Sequence, residues 1–173
     1  MYDVVALGEL LIDFTPAGVS ENGNMLFEMN PGGAPANVLT AVTRFEGKGA
    51  FIGKVGDDQF GYFLKQVLEK NQINTDGLKF TKKANTTLAF VHLDNKGDRS
   101  FTFYRNPGAD IMLEEGDIKV DLIKKSKIFH FGSLSMTDNP AKGATLKAIE
   151  YAKQNNKIIS YDPNWRPSLW KNE

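Results

Sequence analysis

The chain has 173 residues, of which 41% are hydrophobic, which suits a single domain with a core of its own. Its 21 basic and 21 acidic side chains give a formal net charge of zero, which argues against nucleic acid as a partner, and the lack of cysteine excludes disulfides and thiolate metal sites. The N-terminus lacks the basic start of a signal peptide and no apolar run reaches membrane-spanning length, so we expect a cytoplasmic protein with no membrane partner.

Short apolar runs predict four buried strands, at residues 3–7, 50–55, 127–131 and 157–161. They lack strict alternation of apolar and polar residues, which is typical of parallel strands covered on both faces. Helical periodicity lies between them, with apolar positions within 38–45, 60–68 and 141–152. This alternation of strands and helices predicts an α/β fold with a mainly parallel sheet.

Two segments, residues 10–29 and 87–105, depart from this alternation. The first has two apolar stretches around the turn-rich sequence "GVSENG", and the second has two strand-like runs around "DNKGD". Both patterns indicate β-hairpins. We expect these hairpins to form a small antiparallel sheet appended to the α/β core.

Polar residues collect after each predicted core strand, in "GELLIDF", "GDDQFG", "GSLSMTDN" and "DPNWRPSLW". Ligands of open α/β sheets bind outside the carboxyl ends of the strands, so these four segments predict one site. Asp13 could accept hydrogen bonds from the hydroxyls of a polyol, or it could be a solvated turn residue. Asn164 and Arg166 offer an amide and a guanidinium close together at a strand end.

Several polar residues have structural interpretations that compete with functional ones. Asn37 could bind a ligand or decorate a helical turn, and the aromatic segment 101–106 fits a dimer interface as well as ligand contact. The remaining expectations are structural: helix caps at Asp57 or Asp58, a core histidine at 130, an exposed or structural histidine at 92 and a surface charge at Lys54. The sequence contains neither a Walker phosphate loop nor a dinucleotide-binding fingerprint.

Three stretches resemble the ribokinase-like (PfkB) family of carbohydrate kinases: "GELLIDF" at 8–14, "GGAPANVLTAVTRFEGKGAFIGKVGDDQFG" at 32–61 and "YDPNWRPSLW" at 161–170. The middle stretch is similar to the N-terminal signature of that family and is highly specific. With "SFTFYRNPGAD" and "IFHFGSLS", the chain most resembles the bacterial fructokinases of the family. The resemblance covers essentially the whole chain.

The resemblance implies a three-layer α/β/α domain with a small β lid over the active site, and a homodimer formed through that lid. It implies transfer of the γ-phosphoryl group of ATP to a primary hydroxyl of a sugar, with Mg²⁺. Carried over by position, the residues that it assigns to sugar binding are Asp13, Gly32, Gly33 and Asn37, with Phe101 and Arg105 reaching in from the lid, and Asn164 and Arg166 near the sugar or the transferred phosphoryl group.

The family's second signature, a "GAGD"-like stretch that supplies the catalytic base, is missing from this sequence, as is its "NxxE" stretch. We therefore expect no catalytic residue in this chain, and a base that lies beyond Glu173. Three hypotheses follow: phosphorylation of fructose to fructose 6-phosphate; phosphorylation of a sugar acid such as 2-keto-3-deoxygluconate, favoured by Arg105 and Arg166; and a non-catalytic sugar-binding or dimerising fragment.

Overall fold

The computed structural model describes residues 1–93 and 99–170, and for Leu93 and Arg99 only the backbone. The predicted turn "DNKGD" lies outside the described residues. The strands are β1 (Tyr2–Leu7), β2 (Leu11–Val19), β3 (Met25–Gly32), β4 (Gly49–Gly56), β5 (Asn74–Thr81), β6 (Leu88–Leu93), β7 (Arg99–Tyr104), β8 (Ser126–Gly132) and β9 (Ile158–Asp162). The α-helices are α1 (Ala34–Arg44), α2 (Gln59–Lys70), α3 (Val120–Lys124) and α4 (Ala141–Gln154).

Five strands form a parallel sheet in the order β5-β4-β1-β8-β9, and helices cover both of its faces. One face packs against α1 and α2 in a core that includes Leu39, Phe51 and Leu64. The other face packs against α3 and α4 around Phe129 and a row of helix alanines. The predicted α/β fold and its three layers are confirmed, and they place the carboxyl ends of β1, β4, β8 and β9 at one edge of the sheet.

Strand β5 is the one core strand that the sequence did not predict. Its sequence, "NTDGLKFT", contains Asn, Asp and Gly, which are depleted in strands. It lies at the edge of the sheet and pairs in parallel with β4. Pairing with a fully buried neighbour therefore outweighs its weak intrinsic preference for extended structure.

The two predicted hairpins are confirmed, and they form one four-stranded sheet in the order β3-β2-β6-β7, which we call the lid. Strands β2 and β3 pair antiparallel, and so do β6 and β7. The hairpins join through a short parallel pairing of Ile12–Phe14 with Leu88–Phe90, so the lid is a mixed sheet rather than the purely antiparallel one that was expected. The lid lies against α2, where the Phe14 and Phe60 rings meet edge to face with centroids 6.0 Å apart.

Local sequence signals account for the starts of two helices. Pro35 lies in the first turn of α1, where its missing N–H costs nothing. Asp58 caps α2 as predicted, because its Oδ1 accepts a hydrogen bond from the Gly61 backbone N–H at 2.8 Å. Its Oδ2 also accepts from the Thr86 N–H at 2.8 Å, so this cap ties α2 to the segment that enters β6.

The expectation that Lys54 is a surface charge is wrong. The side chain is buried, and its Nζ donates to the Met112 carbonyl at 2.7 Å and pairs with Asp117 at 2.5 Å. Strand β4 is covered on both faces, so a lysine within it must find buried partners. His92 is exposed and His130 is buried, as expected. Among the described residues, no helix is long and apolar enough to cross a membrane.

Candidate functional site

A cavity of about 280 Å³ lies between the carboxyl edge of the core sheet and the lid. It brings together six of the eight site residues predicted from the sequence, drawn from the lid, the start of α1 and the segment after β9: Asp13, Gly33, Asn37, Phe101, Asn164 and Arg166. These residues are up to 153 positions apart in the chain, from Asp13 to Arg166. The fold therefore gathers these predicted residues around one cavity.

Asp13 is on β2 and is half-buried in the cavity wall. Burial raises the pKa of its carboxyl group, and the positive charge of Arg166 opposes that rise. Gly32 does not line this cavity, but a Cβ atom at Gly32 would overlap Asp13 Oδ2. The glycine therefore acts by leaving room for the Asp13 side chain.

Gly33 and Glu9 fix the start of α1 against the cavity. Gly33 has φ 115°, a conformation that favours glycine, and a Cβ there would overlap the Glu9 carbonyl oxygen. The Glu9 carboxylate accepts a hydrogen bond from the Ala34 backbone N–H at 2.9 Å. Glu9 thus contacts this turn with both its main chain and its side chain, and it also lines the cavity.

The sequence showed Glu9 at a strand end but gave it no role. It is 2% exposed, and its Oε2 atom has no hydrogen-bond partner among the described residues. Burial raises the pKa of this carboxyl group from its usual 4.5 to about 7. The signal available in the sequence was a charged residue next to Gly8, directly after the first predicted strand. Only the fold shows that this residue is buried.

The loops that follow β8 and β9 close the cavity from the core side. Ser133 donates a hydrogen bond to the Asn164 carbonyl at 2.9 Å, and the Asn164 N–H donates to Asp162 at 3.0 Å. Across the cavity, the Arg166 guanidinium lies over the Phe101 ring of the lid, 5.1 Å from its centroid. The positions of Asn164 and Arg166 are therefore set by hydrogen bonds within the loops and by contact with the lid.

Arg105, the remaining predicted site residue, does not line this cavity. Its side chain is buried and pairs with Asp110, with 2.6 Å between Arg105 Nη2 and Asp110 Oδ2. The guanidinium also donates to Thr137 Oγ1 at 3.0 Å and to the Leu134 carbonyl at 2.9 Å. The expectation that Arg105 reaches into the site from the lid is therefore not met by this geometry.

The sequence profile described as "pfkB family carbohydrate kinase" matches residues 1–173. The chain belongs to the pfkB family of carbohydrate kinases. Its relatives include a probable chloroplastic fructokinase-6 of Arabidopsis thaliana, 52% identical over 169 residues, which are 96% of this chain and 44% of the relative. A fructokinase of Solanum tuberosum is 50% identical over 172 residues, 98% of this chain and 54% of the relative.

Solved structures agree with this pfkB assignment. The fructokinase of Xylella fastidiosa superimposes with a TM-score of 0.93 at 38% identity, over 99% of this chain and 54% of that one. The same enzyme solved with bound ATP gives a TM-score of 0.91 at 38% identity, over 99% of this chain and 52% of that one. The chain thus spans about half the length of the relatives that it matches.

Two further polar residues of this pfkB chain line the cavity and were not predicted. Thr15 and Asn30 are on neighbouring lid strands, and Asn30 Nδ2 donates to Thr15 Oγ1 at 2.9 Å. Thr15 is two residues after Asp13 on β2, so the alternation of a strand puts both side chains on one face. That period-two relationship was the signal available in the sequence.

The pfkB resemblance implies Mg²⁺, so we asked whether these side chains could hold it. In residues 1–93 and 99–170, no group of three or more His, Cys, Asp or Glu side chains is arranged to hold a metal ion. We therefore assign no magnesium ligand to this part of the protein.

Proposed function

We propose that this chain forms the sugar-binding part of an ATP-dependent fructokinase, which converts fructose to fructose 6-phosphate. The observation that carries the proposal is the cavity between the lid and the core, which Asp13, Asn37 and Asn164 line together. Sequence identity of about 50% to fructokinases supports the choice of fructose as substrate. The ATP-bound Xylella fastidiosa fructokinase supports ATP as the phosphoryl donor.

The chemistry of the cavity suits a small polyol. An ionised carboxylate such as that of Asp13 only accepts hydrogen bonds, so it favours ligands rich in hydroxyl donors, whereas amides such as Asn37 both donate and accept. Phe101 and Phe103 of the lid provide apolar cover, with ring centroids 5.9 Å apart. Covering the sugar would exclude water, which would otherwise compete for the phosphoryl group.

The charges in the cavity favour a neutral sugar over a sugar acid. The sugar-acid hypothesis depended on two free cations, but Arg105 is paired with Asp110 in a buried ion pair. Arg166 remains, and it lies in the same cavity as the Asp13 carboxylate, whose pKa it influences. A substrate carboxylate that approached Arg166 would therefore also meet the carboxylate of Asp13, which carries the same charge. Arg166 is the one cation left of the two on which the sugar-acid hypothesis depended.

We further propose that the phosphoryl-transfer base lies outside this chain. The attacking sugar hydroxyl would lose its proton to that base while its oxygen bonds to the γ-phosphorus and ADP leaves. Within this chain, Arg166 is the residue that we assign to charge stabilisation, because it is a cation that lines the cavity. Mg²⁺, when bound, would neutralise charge on the ATP phosphates.

The test is an ATP-coupled assay of the full-length protein with fructose and with 2-keto-3-deoxygluconate. We expect a strong preference for fructose, and we expect Asp13→Ala to raise the KM for fructose about a hundredfold or more, since a hydrogen-bonding carboxylate would be lost. Asp76→Ala, an exposed carboxylate on β5, is the control. Preference for the sugar acid would overturn the substrate, and normal turnover by Asp13→Ala would overturn the site.

The 173 residues alone provide a separate test. We expect the isolated chain to bind fructose in calorimetry but not to phosphorylate it, as the hypothesis of a non-catalytic fragment requires. ATP-dependent turnover by the isolated chain would contradict the assignment of the base to another part of the protein.

We also propose a homodimer formed through the lid. The lid carries exposed apolar side chains, among them Val19 at 66%, Met25 at 66% and Tyr104 at 64% exposure. Val19 and Met25 are register partners on neighbouring strands, and adjoining exposed apolar side chains of this kind can mark a protein–protein contact. Sedimentation should give a dimer that Met25→Glu weakens, and a monomer at all concentrations would refute the proposed dimer.

A cytoplasmic location stays a prediction.

A further inference from the structure

One buried carboxylate, that of Asp110, contacts both ends of the hairpin β6–β7. Thr87 directly precedes β6, and its Oγ1 donates to Asp110 Oδ1 at 2.5 Å. Arg105 directly follows β7, and its Nε donates to Asp110 Oδ2 at 2.8 Å. Asp110 thus holds the residues at which the chain enters and leaves this half of the lid.

Arg105 also connects the lid to the floor of the cavity. Its guanidinium donates to Thr137 Oγ1 and to the Leu134 carbonyl, both in or beside the short helix Ser133–Met136 that follows β8. Leu134 lines the cavity. One side chain therefore joins the end of a lid strand to a loop on which the ligand would rest.

This arrangement is buried and closely packed. The side chains of Arg105 and Asp110 are 3% and 2% exposed. Gly108 lies so close to Thr87 that a Cβ atom at residue 108 would overlap Thr87 Oγ1. A buried ion pair whose side chains are also hydrogen-bonded to their neighbours resists change, because removing either partner leaves an uncompensated charge.

We propose that Thr87, Arg105 and Asp110 form a lid clamp, a set of positioning residues that holds the β6–β7 hairpin at the angle required to cover the sugar. In this role Arg105 is not a ligand of the sugar. It acts through Phe101, which the same hairpin carries into the cavity. The kinetic part of the test rests on the proposed sugar kinase activity, whereas the hydrogen-exchange part does not.

The two roles of Arg105 make different predictions for the protein without sugar. Loosening the clamp should free the lid whether or not a ligand is present. Losing a sugar ligand should leave the empty lid unchanged and affect only the complex. Hydrogen exchange of the described β6 and β7 amides in the absence of sugar therefore distinguishes them.

The variants are Asp110→Asn, which removes the charge at nearly constant shape, and Thr87→Val, which removes one hydrogen bond and leaves the ion pair. In full-length Asp110→Asn we expect lid amides to exchange about tenfold faster or more without sugar, because local opening becomes easier. We expect a smaller acceleration in Thr87→Val. The KM for fructose should rise about tenfold in Asp110→Asn with a smaller change in kcat, since the lid must be repositioned on binding.

Asp117→Asn is the matched control, because Asp117 pairs with another buried cation, Lys54, which bonds none of Thr87, Arg105 and Asp110. We expect it to lower the unfolding temperature without accelerating exchange in β6 and β7 relative to the core. If Asp110→Asn accelerates exchange no more in the lid than in the core, the clamp is refuted. If Arg105→Ala impairs fructose binding but leaves exchange of the empty lid unchanged, Arg105 is a sugar ligand. If wild type shows no sugar kinase activity while the lid effect persists, the clamp stands and the proposed substrate falls.

Discussion

The guanidinium of Arg166 lies over the Phe101 ring, 5.1 Å from the ring centroid, and both residues line the cavity. Phe101 belongs to the lid and Arg166 to the segment after β9, so this cation–π contact joins the two sides of the cavity. Arg166 also influences the pKa of Asp13. A single cation therefore links the cover of the cavity to its main carboxylate.

Replacing Phe101 by leucine should weaken fructose binding by roughly 2- to 30-fold, because a cation–π contact contributes about 0.5–2 kcal/mol, with the larger value in a desolvated site. The leucine keeps an apolar side chain over the sugar, so the loss reports mainly on the contact with Arg166. Calorimetry with the full-length protein measures it. Phe103→Leu is the control, since Phe103 stacks on Phe101 but it is the Phe101 ring over which Arg166 lies. Equal losses in both variants would contradict a role for the cation–π contact.

Gly32→Ala should impair sugar binding with little change in stability. The new methyl group would overlap Asp13 Oδ2 and approach a Leu11 methyl group at 2.8 Å, and both are ends of side chains that can move. Moving Asp13 by about 1 Å is enough to lower turnover at low fructose concentration by roughly 10- to 100-fold. Kinetics and thermal unfolding of the same sample would check this. A large loss of stability with normal kinetics would show that Asp13 does not respond to residue 32.

Gly33→Ala should behave in the opposite way and destabilise the fold. At φ 115° an alanine is strained, and its Cβ would overlap a backbone atom, the Glu9 carbonyl oxygen, which cannot rotate away. We expect a loss of at least roughly 1–3 kcal/mol in the free energy of unfolding, measured by urea denaturation. Unchanged stability in this variant would mean that the turn before α1 can adopt another conformation.

Glu9 should make the fold less stable as the pH rises. Its folded pKa of about 7 exceeds its ordinary value of 4.5, so between these values the folded state holds a proton that the unfolded state has released. Stability is therefore full below about pH 4.5 and decreases until the pH passes the folded pKa, by roughly 3 kcal/mol. Glu9→Gln removes this titration and keeps an oxygen that can accept from Ala34. Urea denaturation between pH 5 and 8 should show that the free energy of unfolding of Glu9→Gln increases relative to that of wild type as the pH rises.

The difference between wild type and Glu9→Gln is the quantity to compare, because other groups titrate in the same range. Burial lowers the pKa of His130, so this residue opposes folding at acidic pH and gives the opposite slope. It contributes equally to both proteins and cancels in the difference. A difference that stays constant from pH 5 to 8 would show that the Glu9 pKa is not raised.

Periodicity and composition were sufficient to predict strands β1, β4, β8 and β9, helices α1, α2 and α4, and both hairpins. Strand β5 could not be predicted, since its pairing with β4 and not its composition makes it extended. The same reasoning gathered Asp13, Asn164 and Arg166 at one place, because the carboxyl ends of parallel strands meet, and the family resemblance added Asn37.

The sequence could not show which charges are already neutralised. Arg105 and Lys54 looked available for a ligand or for solvent, but Asp110 and Asp117 hold them in the interior. These partners are 5 and 63 residues away in the chain, and no local pattern relates a cation to a carboxylate at such separations. Only the packing of the lid and of the short helices after it decides these pairs.

The parallel pairing of β2 with β6 has a practical consequence for engineering. Asp13 pairs with Ala89, and Phe101 pairs with Val91 on the other side of β6, so both cavity residues are carried by one continuous sheet built from two distant stretches of chain. Grafting either hairpin alone from a relative would set a foreign strand against a native one at this seam. A chimera meant to exchange substrate preference must therefore transfer residues 11–32 and 88–104 together.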